Sequence, residues 1–328
     1  MMSKPLISIL VPVYNVNLYI ERCARSLFEQ TYKNIEFIFV NDCTPDNSID
    51  ILKTIITSYP EVYDKVKIIN HINNKGLSYA RNTALQNATG EYIIHIDSDD
   101  FIDRNCIKEL ADKVINDSSI DVVFCNFNFI LKGNKSIPYN IPFNDEKNTY
   151  ICDLLTRKTT TYIWGKLIRR SLLLENSLFS VPGLNQGEDY VLIPRITFYA
   201  NKIVKVEKAL YNYIRYNINS YTQTINNNAI NDIIRANQIL VDFFNSDTNR
   251  SWPIEESKAM NAITLFYSAK PNQYHYIASV YNKLDIRNLK ISILHKTILY
   301  LAQNKLYYII YLLSKIRRFY NLVSSKEI

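Results

Sequence analysis

The stretch Tyr92-Ile93-Ile94-His95-Ile96-Asp97-Ser98-Asp99-Asp100 passes from a short apolar run straight into three carboxylates. Such a run reads as a buried strand, and its acidic end marks where that strand leaves the core. Asp97 and Asp99 lie two positions apart, so in extended chain their side chains point the same way. Two carboxylates aimed at one point repel each other unless a cation lies between them. Hard oxygen donors of this kind suit Mg2+ or Mn2+. The plainer alternative is a solvated loop whose Asp caps the next helix. At the end of a buried strand, the cation reading is the stronger.

On both sides of this stretch, short apolar runs alternate with helical patterns as far as about residue 125, the signature of βαβ units in a parallel sheet. The pattern predicts strands at 6–13, 35–40, 66–69, 92–96 and 122–127. Helices are predicted over 18–28, over the turns that follow Ser48 as a cap, and over 77–85 and 104–115. Open parallel sheets bind ligands at the carboxyl ends of their strands. Pro12-Val13-Tyr14-Asn15, Asn41-Asp42 and the acidic run all fall at such ends, which predicts a single cleft.

The polar, Asn- and Pro-containing region 128–160 reads as an excursion or flexible lobe. Helical patterns follow at 164–175 and 188–199, and alternation over 202–216 suggests a β-meander. From about 226 the pattern is helical, with a domain boundary expected near 220–226.

Composition narrows the classes. A chain of 328 residues, 47% apolar and 21% charged, is an ordinary globular one of about two domains. No apolar run reaches the roughly 18 residues of a membrane span. The start, MMSKPLISILVPVYN, has no small-residue cleavage site after its apolar stretch, so no signal peptide is expected. The six glycines form no Gly-x-Gly, which removes the dinucleotide fingerprint and the P-loop. The five cysteines contain no Cys-x-x-Cys and the four histidines no His-x-x-x-His, so neither a structural zinc nor a disulfide framework is expected.

The net charge of +7 is unevenly placed. Residues 1–285 carry 30 basic and 30 acidic side chains, whereas 286–328 carry eight basic residues against Glu327 alone. A neutral main body argues against a nucleic-acid partner, whose affinity rests on phosphate contacts. The tail sets Lys290, Thr297, Asn304, Lys315 and Arg318 against Ile298, Leu301, Tyr308, Ile309, Leu312, Ile316 and Phe319. Such a basic, tyrosine-rich amphipathic segment suits an anionic membrane surface; a helix packed on the protein or on a second subunit is the alternative.

Four motifs in order carry a family resemblance: Ser8-Ile9-Leu10-Val11-Pro12-Val13-Tyr14-Asn15; Val40-Asn41-Asp42 with Asp46 and Ser48; Asn74-Lys75-Gly76-Leu77-Ser78-Tyr79-Ala80-Arg81-Asn82; and Asp97-Ser98-Asp99-Asp100. The chain resembles the family 2 glycosyltransferases, inverting, metal-dependent enzymes of GT-A fold. Trp164-Gly165-Lys166-Leu167 and Gly187-Glu188-Asp189 extend the likeness to about 215.

The resemblance implies an α/β fold, a mostly parallel sheet flanked by helices, with a C-terminal helical extension. It implies a catalytic domain over 1–222, nucleotide-sugar binding in 1–127 and the acceptor side in 128–222, before a helical region 223–328. It implies a nucleotide-sugar donor, a uridine one in particular, and a saccharide or lipid-linked acceptor in surface polysaccharide synthesis. That places the protein in the cytoplasm, peripheral on the inner face of the plasma membrane.

By the same resemblance Tyr14 lies against the nucleobase beside Pro12, Asp42 accepts from the uracil ring, and Arg81 holds the diphosphate. Asp97 faces the ribose or the metal, Ser98 belongs to the nucleotide-sugar site, Asp99 holds Mn2+ or Mg2+, and Asp189 is the general base. The chain departs from the pattern at Asn41-Asp42-Cys43-Thr44, where Asp-Asp-Gly-Ser is common, and at Ala84, where glycine is frequent. With glycine replaced by Cys43, that turn should not need a glycine-only conformation. A nucleotidyltransferase of similar sheet, or a non-catalytic nucleotide- or saccharide-binding protein, are the alternatives. The first normally has a glycine-rich N-terminal loop, which this chain lacks.

Overall fold

The computed structural model describes residues 4–217 and 226–324, with side chains as far as Arg317. Two compact units divide the chain. One comprises Met1–Tyr150 with Thr160–Ser220, the other Ile151–Thr159 with Tyr221–Ile328. The expected boundary at 222/223 and the terminal Lys326 and Glu327 lie outside the described residues.

The first unit opens with β1 (Ile7–Val13), α1 (Ile20–Phe28), β2 (Ile35–Asn41), α2 (Ser48–Thr57), β3 (Val66–Asn70), α3 (Leu77–Gln86) and β4 (Tyr92–His95). Every residue of β1 is buried, as an apolar run covered on both sheet faces must be. Helix α1 buries Ile20, Cys23, Ala24, Leu27 and Phe28, one stripe at helical spacing. Strands β3, β2, β1 and β4 pair in parallel, in that order. Their carboxyl ends therefore share one edge.

The second half of the sheet departs from simple alternation. β5 (Phe101–Ile102), α4 (Cys106–Asn116), β6 (Val122–Ile130), β7 (Ser136–Tyr139), α5 (Lys147–Leu155), β8 (Lys166–Arg169), α6 (Arg170–Glu175), α7 (Glu188–Tyr199) and β9 (Ile203–Ile214) follow. The sheet order is β3-β2-β1-β4-β8-β6-β9-β5, with β7 beside β6. β8 is antiparallel to both neighbours, while β6 and β9 run parallel.

Four expectations change here. The region 128–160 is no excursion: β6 continues through it, turns at 132–134 and returns as β7, before α5 begins. The predicted helix at 164–175 splits, because Lys166–Arg169 is captured as a strand between β4 and β6, and only Arg170–Glu175 coils. The predicted meander over 202–216 is one long strand, β9, whose pairing with β6 shifts register on either side of Asn126, so buried and open positions do not alternate strictly along it. Ser48 is the first residue of α2 rather than its cap. Its hydroxyl donates to Asp46 at 2.6 Å and accepts from Val16 N at 3.2 Å.

The second unit is helical: α8 (Asn227–Asn245), α9 (Ile254–Ser268), α10 (Tyr274–Val280), α11 (Ile293–Gln303) and α12 (Tyr307–Ser324). Its core includes Ile230, Ile263, Phe266, Tyr274, Ile298 and Ile310. Asn226 caps α8 and Ser292 caps α11 through their side-chain oxygens.

Two glycines are held by different constraints: at Gly90 an added Cβ would lie 2.8 Å from the Leu6 carbonyl oxygen and from Ser8 N, and at Gly76 the backbone conformation itself excludes a side chain. Gly76 precedes α3 at φ 89° and ψ 167°, a region essentially closed to other residues, and an added Cβ would lie 2.7 Å from Asn185 Oδ1. Gly133 also has positive φ, but an added Cβ meets nothing within 4 Å. Gly76→Ala is therefore expected to destabilise the protein by about 1–3 kcal/mol, and Gly133→Ala by clearly less. Urea midpoints of the two variants check the order.

Candidate active site

The carboxyl ends of β1, β2 and β4 carry the expected polar clusters, and the loops after β1 and β2 are laced together. Thr44 Oγ1 accepts from Asn15 N at 2.8 Å, and Asp46 accepts from Asn17 N at 2.9 Å and Thr44 Oγ1 at 2.7 Å. Burial pushes the Asp46 pKa up, but its donors outweigh burial and hold it below its ordinary value. Cys43 sits at φ 56°. The left-handed turn is thus retained without glycine, at a cost of about 1–2 kcal/mol. Tyr14 stands 40% exposed beyond β1, while Pro12 is buried within it, opposite Val40.

Asp42 is buried and heavily engaged. Its Oδ1 is 2.6 Å from His71 Nδ1 and accepts from Lys75 N at 2.9 Å, and its Oδ2 accepts from Gly76 N at 2.7 Å. The other imidazole nitrogen, Nε2, lies 2.9 Å from Thr83 Oγ1 on α3. This carboxylate therefore fastens the segment between β3 and α3, a contact that explains why glycine must stand at 76.

Arg81 projects from α3 and is 3% exposed. Its Nη1 reaches Asp189 Oδ1 at 2.7 Å and Glu188 Oε1 at 3.1 Å, and its Nη2 reaches Asp97 Oδ1 at 3.2 Å. One guanidinium thus joins the end of β4 to the first turn of α7. Burial works to lower the Arg81 pKa, but the charges of Asp189, Asp97 and Glu188 outweigh it and raise it, so the group stays cationic. Burial pushes Glu188 up to about 8, with the charge of Asp189 adding and that of Arg81 opposing. Asp189 is also raised, first by burial, and its Oδ2 accepts from Ile163 N at 3.1 Å.

The acidic turn is fixed from β9. Tyr211 Oη accepts from Asp97 N at 3.2 Å and donates to Asp100 Oδ2 at 2.7 Å. Asp100, fully buried, also takes Ile214 N at 2.8 Å and so has a supporting role. Ser98 is buried between the two outer aspartates. Asp99 Oδ2 accepts from Asn217 Nδ2 at 2.8 Å. Its pKa is pushed up to about 6 by burial and then by Asp97.

The structure therefore brings Arg81, Asp97 and Asp189 into direct contact, with Glu188 as a fourth member. Asp42 and Tyr14 belong to the neighbouring loops. Tyr211, Asn217 and the His71–Thr83 link were not foreseen. The alternation over 202–216 marked a strand, but nothing local could show that it would run beneath residue 97.

The fold is of the GT-A type. The family model for glycosyl transferase family 2 matches residues 8–175, and the chain belongs to that family. It is 35% identical over 228 residues to EpsH of Bacillus subtilis (strain 168), a protein assigned to the glycosyltransferases; the match covers 68% of this chain and 64% of EpsH, just under two thirds of that relative. It is 35% identical over 148 residues to chondroitin synthase of Escherichia coli, covering 44% of this chain and 21% of the synthase. The crystal structure of S. aureus TarS 1-349 in complex with UDP-GlcNAc superposes with a TM-score of 0.69 at 19% identity, covering 91% of this chain and 87% of that one.

The raised Glu188 pKa has a definite consequence for stability. A carboxyl whose pKa rises on folding binds more protons in the native state, so stability is lost as pH climbs from about 4.5 towards 8. Asp189, Arg81 and Asp97 are the charged groups facing it. Glu188→Gln should flatten that decline, raising the urea midpoint at pH 8 relative to wild type more than at pH 5. Parallel curves across this window would refute the assignment.

Proposed function

We propose that the protein transfers a sugar from a nucleotide diphosphate donor, a UDP-sugar, to a hydroxyl of a saccharide or lipid-linked saccharide, in surface polysaccharide synthesis. The observation that carries this reading is the meeting of Asp189, from the start of α7, with Asp97, from the end of β4, across one guanidinium. A base on the acceptor side must come from a different segment than the groups that hold the donor. This contact supplies that arrangement.

Asp189 takes the acceptor hydroxyl proton as the oxygen attacks the anomeric carbon from the face opposite the leaving diphosphate, which inverts that centre. Burial helps the chemistry, since a raised pKa makes a carboxylate a stronger base at neutral pH. Arg81 Nη1 and Ile163 N each donate to one Asp189 oxygen, fixing its orientation while lone pairs remain for the substrate. Tyr14 offers its exposed ring to the nucleobase beside Pro12. Asp42 already accepts three hydrogen bonds, leaving about one of a carboxylate's four lone-pair sites for a uracil N–H.

Asp97 and Ser98 face the ribose, and Asp99 with Asp97 would hold Mn2+ or Mg2+. The residues fit such an ion: Asp99 is crowded by a like charge that a cation would relieve, and its donors are hard oxygens. Among the described residues no three or more His, Cys, Asp or Glu side chains converge on an ion position. A carboxylate pair of this kind leaves coordination positions for diphosphate oxygens. A divalent cation bound there would offset the charge that builds on the leaving group. Arg81 adds a fixed positive charge from the same side. The names and contents of two relatives, a chondroitin synthase and a structure holding UDP-GlcNAc, support a saccharide acceptor and a uridine donor.

The test uses the purified protein with Mn2+ and UDP-GlcNAc, UDP-glucose, UDP-galactose or GDP-mannose, reading melting temperature and nucleotide release. A UDP-sugar should raise the melting temperature and be turned over only with the metal. Asp189→Asn should lose about 100-fold or more in kcat yet keep the donor-induced shift, and Asp99→Ala should lose both. If none of the four sugars moves the melting curve, the donor assignment fails.

A further observation favours a membrane-surface location. Among the described residues no helix is long and apolar enough to cross a membrane. Helix α12 nonetheless turns apolar residues outward: Tyr308 is 72% exposed and Ile316 64%, with Ile309 and Leu312 exposed between them. These positions share one face, with exposed Lys315 beside it and exposed Lys305 just before the helix, while Ile310 and Ser314 point inward and Arg317 packs over the Tyr267 ring at 3.9 Å. An apolar stripe edged with cations matches the surface of an anionic leaflet. Full-length protein should sediment with phosphatidylglycerol vesicles and not with phosphatidylcholine vesicles, and Leu312→Glu with Ile316→Glu should abolish it. Unchanged sedimentation of the variant, or a dimer that the same substitutions split, would overturn this reading.

A further inference from the structure

Beside the acidic cluster lies a stack of aromatic rings that the steps above do not use. Trp164 lies between Tyr211 and Tyr162, at centroid distances of 4.2 and 4.5 Å and interplanar angles of 16° and 15°. Tyr213 is nearly parallel to Trp164 at 5.5 Å, and Phe127 meets it edge-on at 5.0 Å. Phe129 and Tyr139 extend the cluster, and the Arg215 guanidinium lies over Phe129 at 5.0 Å.

Burial falls off across this stack in one direction. Trp164, Tyr211 and Phe127 are buried, whereas Tyr162, Tyr213, Tyr139 and Phe129 are partly exposed and Arg215 is exposed. The outermost layer is thus largely tyrosine, flat rings with polar tips, set on a rigid indole. It lies next to the proposed base, for Ile163, the residue after Tyr162, donates its N–H to Asp189. Burial pushes the Tyr162 hydroxyl up; Arg215 opposes, and Tyr139, Asp189 and Asp100 add, so the phenol lies within the field of the base.

We infer that Tyr162, Tyr213 and Tyr139 form the subsite for the acceptor saccharide, with a pyranose face lying on the rings and one hydroxyl directed to Asp189. This deepens the proposed transfer reaction and rests on it. A pyranose presents C–H groups on its faces and hydroxyls around its rim. Aromatic faces cover the first, and tyrosine hydroxyls with Arg215 hydrogen-bond the second. The donor needs none of these rings, because its groups lie at the ends of β1, β2 and β4. Packing against Trp164 holds Tyr162 and Tyr213 in place, and Phe127 and Phe129 hold Tyr139, so little side-chain entropy is lost when a sugar lands on them.

Trp164 is itself the reporter. The chain has two tryptophans, 164 and 252, so emission of a Trp252→Phe variant reads the stack alone. That variant is titrated with N-acetylglucosamine tetramer, cellotetraose and polygalacturonate. At least one should shift the emission saturably, and adding Tyr162→Ala with Tyr213→Ala should weaken that binding tenfold or more. The melting shift caused by the UDP-sugar should persist in the substituted protein. The inference is overturned if no saccharide moves the emission, if the substituted protein binds equally well, or if its nucleotide-induced shift is lost as well. Saccharide binding that depends on these tyrosines, in a protein whose melting curve ignores nucleotide sugars, would instead sink the transferase reading and leave the subsite standing.

Discussion

The catalytic unit depends on one buried cation. Arg81 is almost wholly removed from water, and a charge in that position is tolerable only if paired and hydrogen-bonded. Asp97, Glu188 and Asp189 supply three acceptors from two distant segments, 16 to 108 positions away in the chain. The dependence is mutual. Without the guanidinium, three crowded carboxylates would face one another in a medium that screens them poorly. The burial of Glu188 shows how far the balance extends, since even with Arg81 present its pKa rises to about 8. The ion pairing that makes the cluster foldable also holds Asp97 and Asp189 on one guanidinium.

The sheet makes this arrangement possible. Parallel β1, β2 and β4 bring three loops to one edge, but parallel order alone would leave the acidic turn free to relax away from its own repulsion. β9 prevents that. Tyr211 and the Ile214 backbone N–H hold Asp100 in the core, and Asp100 anchors the turn from which Asp97 and Asp99 emerge. The same strand carries Tyr213 to the aromatic stack. One long strand therefore fixes both the acidic group and the rings beside it.

The parallel half of the sheet was legible because its strands are buried on both faces and separated by helices with clear apolar stripes. β8 was not. Lys166-Leu167-Ile168-Arg169 carries no period that distinguishes one helical turn from a short strand, and its state was decided by the gap between β4 and β6. The same limit applies at the site. Asp97, Asp99, Arg81 and Asp189 could be named from motifs, because each needs a particular residue type at a particular turn. Asn217, Tyr211 and His71 could not. Each acts by a contact across 29 to 118 residues, and an ordinary polar or aromatic side chain carries no local mark of such a contact. Cys43 shows a subtler case: without glycine the turn still takes a positive φ of 56°, so the loss of a glycine from the sequence did not mark the loss of a left-handed conformation.

The division of labour across the site follows from its charges. Residues 1–285 are neutral as a whole, yet Asp97, Glu188 and Asp189 gather around one arginine, and Asp99 and Asp100 share the acidic turn of Asp97. Such a centre repels a bare diphosphate, so a donor must arrive with compensating charge, and divalent cations are the ions that hard carboxylate oxygens hold best. The acceptor carries no such obligation. A neutral sugar needs shape, apolar cover and a few hydrogen bonds, which rings of tyrosine supply without adding charge beside the proposed base, whose pKa burial raises. Had the aromatic layer been replaced by lysines or arginines, the base would have been driven back towards the ordinary carboxylate range and weakened. The rings beside Asp189 thus leave its basicity intact while presenting a surface on which a sugar can lie.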